Sequence, residues 1–263
     1  MTTGRSPRRF FDLSGKHALV TGAIGPLQRA LAVALADAGA NVSVTTLDDD
    51  RAQEVEANSI ANECWSYGRR GEAKRLDLTD GDAVERAVGE LEASVGAIDI
   101  LVNGVHEANI KAIVDTTPAE WERELARNAT SVFVATRAVG RRMLERGKGR
   151  VVTLVSILED RGVPNCATFG GSQGAILGFT RSAGLEWGRH GVTVNAITLG
   201  FFDEVPGPQR DEELHAVLER YIPLRRLGRP SDLQGALLYL VSDEAGFVQA
   251  ETITVDGAIA IHA

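Results

Sequence analysis

Cysteine is scarce in this chain of 263 residues, which contains only Cys64 and Cys166. Two thiols are too few for a disulfide framework or a four-ligand metal cluster, so we expect no metal site and a reduced, cytoplasmic protein. Long hydrophobic runs are also lacking, because no apolar stretch approaches the roughly 20 residues that a membrane-spanning helix needs. We therefore expect no membrane partner.

An excess of positive charge is lacking as well. The chain has 28 Lys and Arg residues against 36 Asp and Glu residues, which gives a formal net charge of −8. Proteins that bind nucleic acids normally present a basic face, so we expect no nucleic-acid partner. Three arginines, Arg5, Arg8 and Arg9, lie close to the start of the sequence. We interpret residues 1–10 as a flexible, solvated tail.

The rest of the composition is that of a globular protein, with 44% hydrophobic and 24% charged residues. We expect one domain over residues 11–263. Seven short apolar or β-branched segments alternate with helical patterns, and they span residues 17–22, 41–46, 73–77, 99–103, 150–156, 192–198 and 252–256. Apolar strands that alternate with helices pair in parallel and are buried on both faces. The sequence therefore predicts an α/β fold: a single doubly wound, Rossmann-like parallel sheet of about seven strands, with helices on both faces.

The clearest helical patterns cover residues 27–39, 82–96 and 118–147. Thr117 and Pro118 suit the cap and the first turn of the last of these helices. In a doubly wound sheet, ligands bind beyond the carboxyl ends of the strands. We interpret the polar segment 201–225 as a loop that leads into a short helix and acts as a substrate lid over that site.

Several motifs occur in an order that resembles one known family across nearly the whole chain. They are TGAIGPLQRALAVALADAGA (21–40), DLTD (77–80), DILVNG (99–104), RNATSVF (127–133), GRVVTLVS (149–156) and VDG (255–257). Together they resemble the short-chain dehydrogenase/reductase family. This resemblance implies hydride transfer with a nicotinamide dinucleotide. It also implies dimers and tetramers built on helices 118–147 and 169–189 and on the C-terminal strand.

The first site of this resemblance is the phosphate-binding turn. In the family, Thr-Gly is followed by two more glycines, because bare backbone must approach the pyrophosphate at a helix N-terminus. Thr21 and Gly22 match, but Pro26 and Gln28 stand at the next two glycine positions. A shift of the turn by one residue would let Gly25 compensate. A tight turn without a ligand fits this sequence at least as well.

The positions around the adenosine also depart from the family's pattern. An acid at the end of the second strand would bind the ribose of NAD, but Thr46 and Leu47 stand there. We interpret the aspartates at 48–50 as a solvated helix start. Asp77 matches the family residue near the adenine, although a lone aspartate after a strand is also a common cap.

The segment after the fourth strand also departs from the family's pattern. Asn103 matches the family's motif, but His106 places an imidazole where the family has a small residue beside the cofactor ribose. One interpretation is a new acid or base that works near neutral pH. The other is a partly exposed loop histidine.

The family's catalytic tetrad is Asn, Ser, Tyr and Lys, and only its first two members are kept. Asn128 and Ser156 match them, whereas Phe169 and Gln173 stand in place of the tyrosine and the lysine. The lysine's charge would lower the pKa of the phenol toward neutrality, but neither phenylalanine nor glutamine can exchange a proton.

The nicotinamide end is altered too, because Glu204 stands where the family has a threonine and Asp203 adds a further charge. From these losses we expect no cofactor, or NAD(P) if any. The expected function is a redox-inactive subunit of a homodimer or homotetramer, or of a hetero-oligomer with an active relative.

Two alternatives remain open from the sequence. The first is a non-redox enzyme (a lyase, dehydratase, cyclase or hydrolase) in the same pocket, with Ser156 and His106 as nucleophile and base. Its pocket would be lined by Asn128, Ser156, His106, Gln173, Asp203, Glu204 and Cys166. The second is an unconventional NAD(P)-dependent oxidoreductase for a hydroxyl or carbonyl substrate, in which water, His106 or the substrate handles the proton.

Overall fold

The computed structural model describes residues 10–262, so nearly all of the expected tail lies outside the described residues. Within them, seven strands form one parallel sheet in the order β3-β2-β1-β4-β5-β6-β7. The strands are β1 (His17–Thr21), β2 (Asn41–Thr45), β3 (Ala73–Lys74), β4 (Ile100–Asn103), β5 (Gly149–Ser156), β6 (Val192–Leu199) and β7 (Thr252–Val255). The prediction of a doubly wound, parallel seven-stranded sheet is confirmed.

The edge strand β3 is shorter than predicted. The sequence suggested residues 73–77, but only Ala73 and Lys74 pair with β2. Beyond them the backbone leaves the ladder, because the amide of Leu76 donates to the hydroxyl of Thr46 instead of a strand carbonyl. A side-chain bond of this kind ends strand pairing early.

Eight α-helices connect the strands within the described residues. They are α1 (Pro26–Asp37), α2 (Arg51–Ser66), α3 (Gly81–Ser94), α4 (Pro118–Leu125), α5 (Ser131–Arg146), α6 (Ala167–Trp187), α7 (Glu212–Tyr221) and α8 (Gln234–Val241). Thr117 and Glu120 form a capping box at the start of α4, with Pro118 in the first turn. This arrangement agrees with the predicted start of that helix.

The long helix predicted over residues 118–147 is not continuous. A π-helical turn, Ala126–Thr130, separates α4 from α5. The side chain of Asn128 lies in this turn, and its amide donates to the carbonyl of Glu124 at 3.2 Å. Such π turns occur frequently at functional sites because they redirect side chains. Here the turn carries Arg127 and Asn128 to the carboxyl end of the sheet.

Helices pack on both faces of the sheet. Residues of α1, α2 and α8 share one hydrophobic core with the strands, and residues of α3, α5 and α6 share a second core on the opposite face. A third cluster lies beyond the carboxyl ends of the strands and joins α6 to the segment 201–225; its buried members are Ile157, Leu158, Cys166, Phe169, Phe201, Leu218, Ile222, Leu227 and Ile259. None of the helices described is both long and apolar enough to cross a membrane.

Two glycines provide a matched test of the turn after β1. Gly22 has φ +65°, and a Cβ atom there would lie 2.8 Å from Cγ2 of Val105. Gly174 lies on the exposed side of α6, where a Cβ would meet nothing within 4 Å. We expect Gly22→Ala to lower the free energy of unfolding by about 2–4 kcal/mol, through backbone strain and overpacking. Gly174→Ala should raise it by about 0.5–1 kcal/mol.

Urea unfolding of the two variants and the unchanged protein would show whether Gly22→Ala lowers the free energy of unfolding and Gly174→Ala raises it. Equal stability of Gly22→Ala and the unchanged protein would contradict the tight packing described for the turn.

Candidate active site

A cleft opens beyond the carboxyl ends of β1 and β4, where the strand order of the sheet reverses. This switch point is where doubly wound folds bind their ligands. The lining residues of the cleft are Gly22, Ile24, Gly25, Pro26, Leu27, Gln28, Leu47, Val105, His106, Glu107, Glu204, Val205 and Pro206. Its walls therefore come from the first turn, the ends of β2 and β4, and the predicted lid.

The first turn keeps the shape of a phosphate-binding turn. Gly22 adopts a left-handed conformation, and Gly25 is extended and caps α1, with Pro26 as the first helical residue. Helix α1 begins directly after Gly25, and compensation by Gly25 through a shifted turn stays a prediction. Pro26 removes one amide donor from the first turn.

Gln28 lies in the floor of the cleft and does not block it. The side chain is buried, and its amide donates to the carbonyl of Gly104 in the segment after β4. This hydrogen bond joins α1 to that segment, which is the close contact that the family's third glycine would otherwise provide. The cleft above Gln28 stays open.

The four tetrad positions are all buried. The side-chain oxygen of Gln173 accepts a hydrogen bond from the backbone amide of Ser156 at 2.9 Å, and its amide donates to Ser172. A neutral glutamine therefore ties α6 to the end of β5, where a lysine would have placed a charge. Phe169 is only 1% exposed and packs in the third cluster.

His106 faces Phe169 directly. The two rings meet edge to face, with 5.1 Å between their centroids. The imidazole is only 8% exposed, so the interpretation of a partly exposed loop histidine is wrong. Its Nδ1 atom has no hydrogen-bond partner among the described residues. Burial lowers the pKa of His106 from 6.5 to about 4, so the ring is neutral at pH 7.

The structure does not support Ser156 and His106 as a nucleophile–base pair. The hydroxyl oxygen of Ser156 accepts from the amide of Leu158 at 3.3 Å, whereas the ring of His106 packs against Phe169. Cys166 is also a poor nucleophile, since burial raises the pKa of its thiol.

Asn128 fixes the segment that carries His106. Its side-chain oxygen accepts from the amide of Glu107 at 3.1 Å, and its amide donates to the carbonyl of Glu107 at 2.9 Å. The same amide lies 3.4 Å from a carboxylate oxygen of Glu124. Burial raises the pKa of Glu124 above its ordinary value. The retained asparagine therefore holds the cleft wall in place.

Charged residues form a bridge beside the cleft, which we call the Arg127 bridge. It consists of Arg127, Asp48 and Glu107, with 2.8 Å between Nη1 of Arg127 and Oδ1 of Asp48, and 2.9 Å between Nη2 and Oε1 of Glu107. Asp50 caps α2 as a helix start should. The expectation that Asp48 is likewise solvated is wrong, because it is paired with an arginine from the π turn.

Three of the predicted cofactor positions form contacts inside the fold. The amide of Asn103 donates to the hydroxyls of Thr136 and Thr153 at 2.9 and 3.1 Å. The hydroxyl of Thr21 donates to the carbonyl of Val102, and Asp77 accepts from Thr79. Of the predicted positions, Gly22 and Gly25 line the cleft.

The segment predicted as a lid contributes Phe201, Leu218 and Ile222 to the third cluster. Its residues Phe201 and Phe202 are buried, and the amide of Gln209 donates to the carbonyls of Phe202 and Val205 at 2.9 and 2.8 Å. Glu204, which lines the cleft, has φ +62°. A loop followed by α7 matches the predicted order, and movement of this lid stays a prediction. Within residues 10–262, no three His, Cys, Asp or Glu side chains are grouped so that they could hold a metal ion.

Comparison with known proteins places this cleft in a family. A family model described as enoyl-(acyl carrier protein) reductase matches residues 22–259. Gluconate 5-dehydrogenase from Gluconobacter oxydans is 31% identical over 253 residues, which cover 95% of this chain and 97% of the relative. The 3-oxoacyl-[acyl-carrier-protein] reductase of Escherichia coli is 30% identical over 248 residues, 94% of this chain and 98% of the relative. The chain belongs to the short-chain dehydrogenase/reductase family.

A solved structure of this family supports the fold at the same level. Gluconate 5-dehydrogenase from Burkholderia cenocepacia, crystallised in complex with NADP and tartrate, superposes with a TM-score of 0.88 at 29% identity. The superposition covers 96% of this chain and 98% of that enzyme.

The expectation of a redox-inactive subunit is contradicted by these findings, as is its non-redox alternative. Relatives that align with almost the whole chain are dehydrogenases and reductases. That expectation rested on the residues that differ from the family's pattern, each taken singly. In the folded chain, Gln28 bonds to Gly104 and Gln173 bonds to Ser156, so these substitutions form new contacts within the walls of the site.

The buried imidazole predicts how stability depends on pH. The unfolded chain protonates His106 near pH 6.5, but the folded chain does so only near pH 4. The stability that His106 contributes is thus present above pH 6.5 and is lost as the pH falls toward 4. Relative to His106→Asn, the unchanged protein should lose about 2–3 kcal/mol of unfolding free energy between pH 7.5 and 4.5.

Urea unfolding at several pH values would measure this difference. The control is His190→Asn, which removes a histidine that lies exposed after α6. If the difference in unfolding free energy between His106→Asn and the unchanged protein did not vary with pH, a neutral, buried imidazole would be contradicted.

Proposed function

We propose that this protein is an NAD(P)-dependent oxidoreductase that interconverts a hydroxyl and a carbonyl group, with His106 in place of the family's tyrosine. The observation that carries the proposal is the position of His106. Its imidazole lines the cleft, packs against Phe169 at the tyrosine position and has a buried Nδ1 with no partner among the described residues. The near full-length similarity to dehydrogenases and reductases supports the same reaction class.

The residues of the cleft fit a dinucleotide. Gly22 keeps the left-handed turn and Gly25 keeps bare backbone at the start of α1, so a pyrophosphate would lie at a helix N-terminus. Gln28 is held down by Gly104 and leaves the cleft free. The reduced nicotinamide ring, when bound, supplies the hydride that a carbonyl carbon accepts.

His106 would act on the carbonyl oxygen of the substrate. A neutral imidazole can donate a hydrogen bond that polarises a carbonyl and stabilises the negative charge that develops on its oxygen. Because the pKa of His106 lies near 4, the ring keeps this neutral form throughout the physiological pH range. Water in the cleft then delivers the proton that completes the hydroxyl group.

Ser156 and Asn128 would keep supporting parts. The hydroxyl of Ser156 accepts from Leu158, so its own hydrogen remains available for a substrate oxygen. Asn128 positions the His106 segment through two hydrogen bonds to Glu107. Since Ser156 is buried, we propose that the lid over residues 201–225 opens to admit the substrate. The positive φ angles of Glu204 and Arg225 mark two candidate hinges.

We also propose that the protein is a homo-oligomer and that it is cytoplasmic. The oligomer is supported by apolar side chains on two helices: Phe133 on α5 is 45% exposed and Leu185 on α6 is 80% exposed. Exposed apolar side chains on neighbouring helices are typical of interfaces. The location is supported by two thiols that are both free.

The activity prediction concerns His106 alone. With NADH or NADPH and a panel of small carbonyl compounds, the unchanged protein should oxidise the cofactor. His106→Asn should lower kcat by about 100- to 1,000-fold, the usual cost of removing one hydrogen-bond donor to a developing oxyanion. The absorbance of the reduced nicotinamide at 340 nm would report the reaction.

His190→Asn serves as the surface control and should retain full activity. Equal activity of His106→Asn and the unchanged protein would exclude His106 from the reaction.

The oligomer prediction concerns α6. Leu185→Asp should shift the protein from an oligomer toward the monomer mass of 28.1 kDa, because burial of a charge at an apolar interface is costly. Light scattering after gel filtration would measure the mass. A monomer mass for the unchanged protein at tens of micromolar would contradict the proposed assembly.

A further inference from the structure

The Arg127 bridge joins three separate parts of the chain at one edge of the cleft. Asp48 directly follows Leu47 at the end of β2, Glu107 directly follows His106 after β4, and Arg127 lies in the π turn. Leu47, His106 and Glu107 all line the cleft. The guanidinium therefore lies beside the ligand site, although its backbone belongs to a helix outside it.

The two carboxylates hold the arginine in different ways. Glu107 accepts from both Nε and Nη2, so it takes two parallel hydrogen bonds and fixes the plane of the guanidinium. Asp48 contacts the arginine through Nη1 alone, with its two oxygens at 2.7 and 2.8 Å, and one of these oxygens also accepts from Nε2 of Gln53 at 3.0 Å. Glu107 thus orients Arg127, whereas Asp48 occupies one corner that another anion could take.

The position of Asp48 identifies that anion. In a doubly wound sheet, the residues after the second strand face the ribose of the adenosine, where NADP carries its 2′-phosphate and NAD carries a hydroxyl. An unpaired acid there would repel the phosphate, which bears a charge of about −1.5 to −2 at pH 7. Here the acid is paired with an arginine, whose planar fork matches phosphate geometry.

We propose that Arg127 is the specificity-determining residue for the dinucleotide, and that it exchanges its contact with Asp48 for the 2′-phosphate of NADP(H). This inference rests on the proposed function, because it places the dinucleotide in the same cleft. Glu107 keeps the guanidinium in place during the exchange. The chain then prefers NADP(H) over NAD(H), even though an aspartate follows β2.

The test uses two fragments that differ only in this phosphate, 2′,5′-ADP and 5′-AMP, titrated by calorimetry into the full chain. The unchanged protein should bind 2′,5′-ADP at least tenfold more tightly. Arg127→Gln should weaken 2′,5′-ADP by about 10- to 100-fold, as for loss of a charge-assisted hydrogen bond, and leave 5′-AMP nearly unchanged. Asp48→Asn should strengthen the binding of 2′,5′-ADP, because it removes a negative charge and one of the two oxygens that hold Nη1.

Arg123→Gln is the matched control, since Arg123 lies on α4 and lines the same pocket as Arg127 and Glu107; it should affect both fragments equally. Thermal unfolding would show whether each variant folds. If Arg127→Gln does not fold, the effect of Asp48→Asn on the binding of 2′,5′-ADP still tests the inference. Equal weakening of both fragments by Arg127→Gln, or no weakening, would overturn the inference.

Titration with NADH and NADPH separates this inference from the proposed function. Binding of NADH with no preference for the phosphate would overturn the inference and leave the proposed function intact. Failure of the unchanged protein to bind any of the four compounds would overturn both. A preference for 2′,5′-ADP that Arg127→Gln removes, without any carbonyl reduction, would support the inference and count against the oxidoreductase.

Discussion

The candidate site depends on the pair of hydrogen bonds between Asn128 and the backbone of Glu107. They fix the segment after β4 against the π turn, and three other features follow from that attachment. His106 is pressed against Phe169, Glu107 reaches Arg127, and Gly104 presents its carbonyl to Gln28. Without this attachment the segment would lose two of its fixed backbone groups, and the cleft would lose a wall.

The π turn makes the hydrogen bonds between Asn128 and Glu107 possible. A regular helix through residues 118–147 would rotate Arg127 and Asn128 to other directions, because each residue advances the helix by about 100°. The extra residue in the turn sets both side chains at the carboxyl end of the sheet. One backbone irregularity therefore positions a polar anchor and a charged side chain together.

Much of the fold could be predicted from the sequence, because its signals are local. The apolar segments gave all seven strands, and Thr117 with Pro118 gave the start of α4. The Arg127 bridge could not be predicted, because Arg127 and Asp48 are 79 residues apart and no local pattern pairs them. The burial of His106 depends on the ring of Phe169 in α6, which is also far from His106 along the sequence. The sequence motifs mark the positions that differ from the family, but they do not show what the side chain at each of these positions contacts.

Those contacts change how the altered positions are understood. Gln173 satisfies the amide of Ser156 and Gln28 satisfies the carbonyl of Gly104, so each polar replacement has a partner within the wall of the site. Buried polar groups without partners are costly, and such pairing keeps the site ordered. The altered side chains are therefore held by contacts within a retained scaffold.

The acidic side chains around the cleft have a consequence for how fast ligands arrive. Glu107 and Glu204 line the opening, and the whole chain carries a formal net charge of −8. The proposed dinucleotide ligand is itself an anion, so the long-range field would oppose its approach instead of steering it inward. Added salt screens that field over about 10 Å at 0.1 M, and association should accelerate as ionic strength rises. In this protein, electrostatics would favour slow capture of a ligand that the cleft then holds through short contacts.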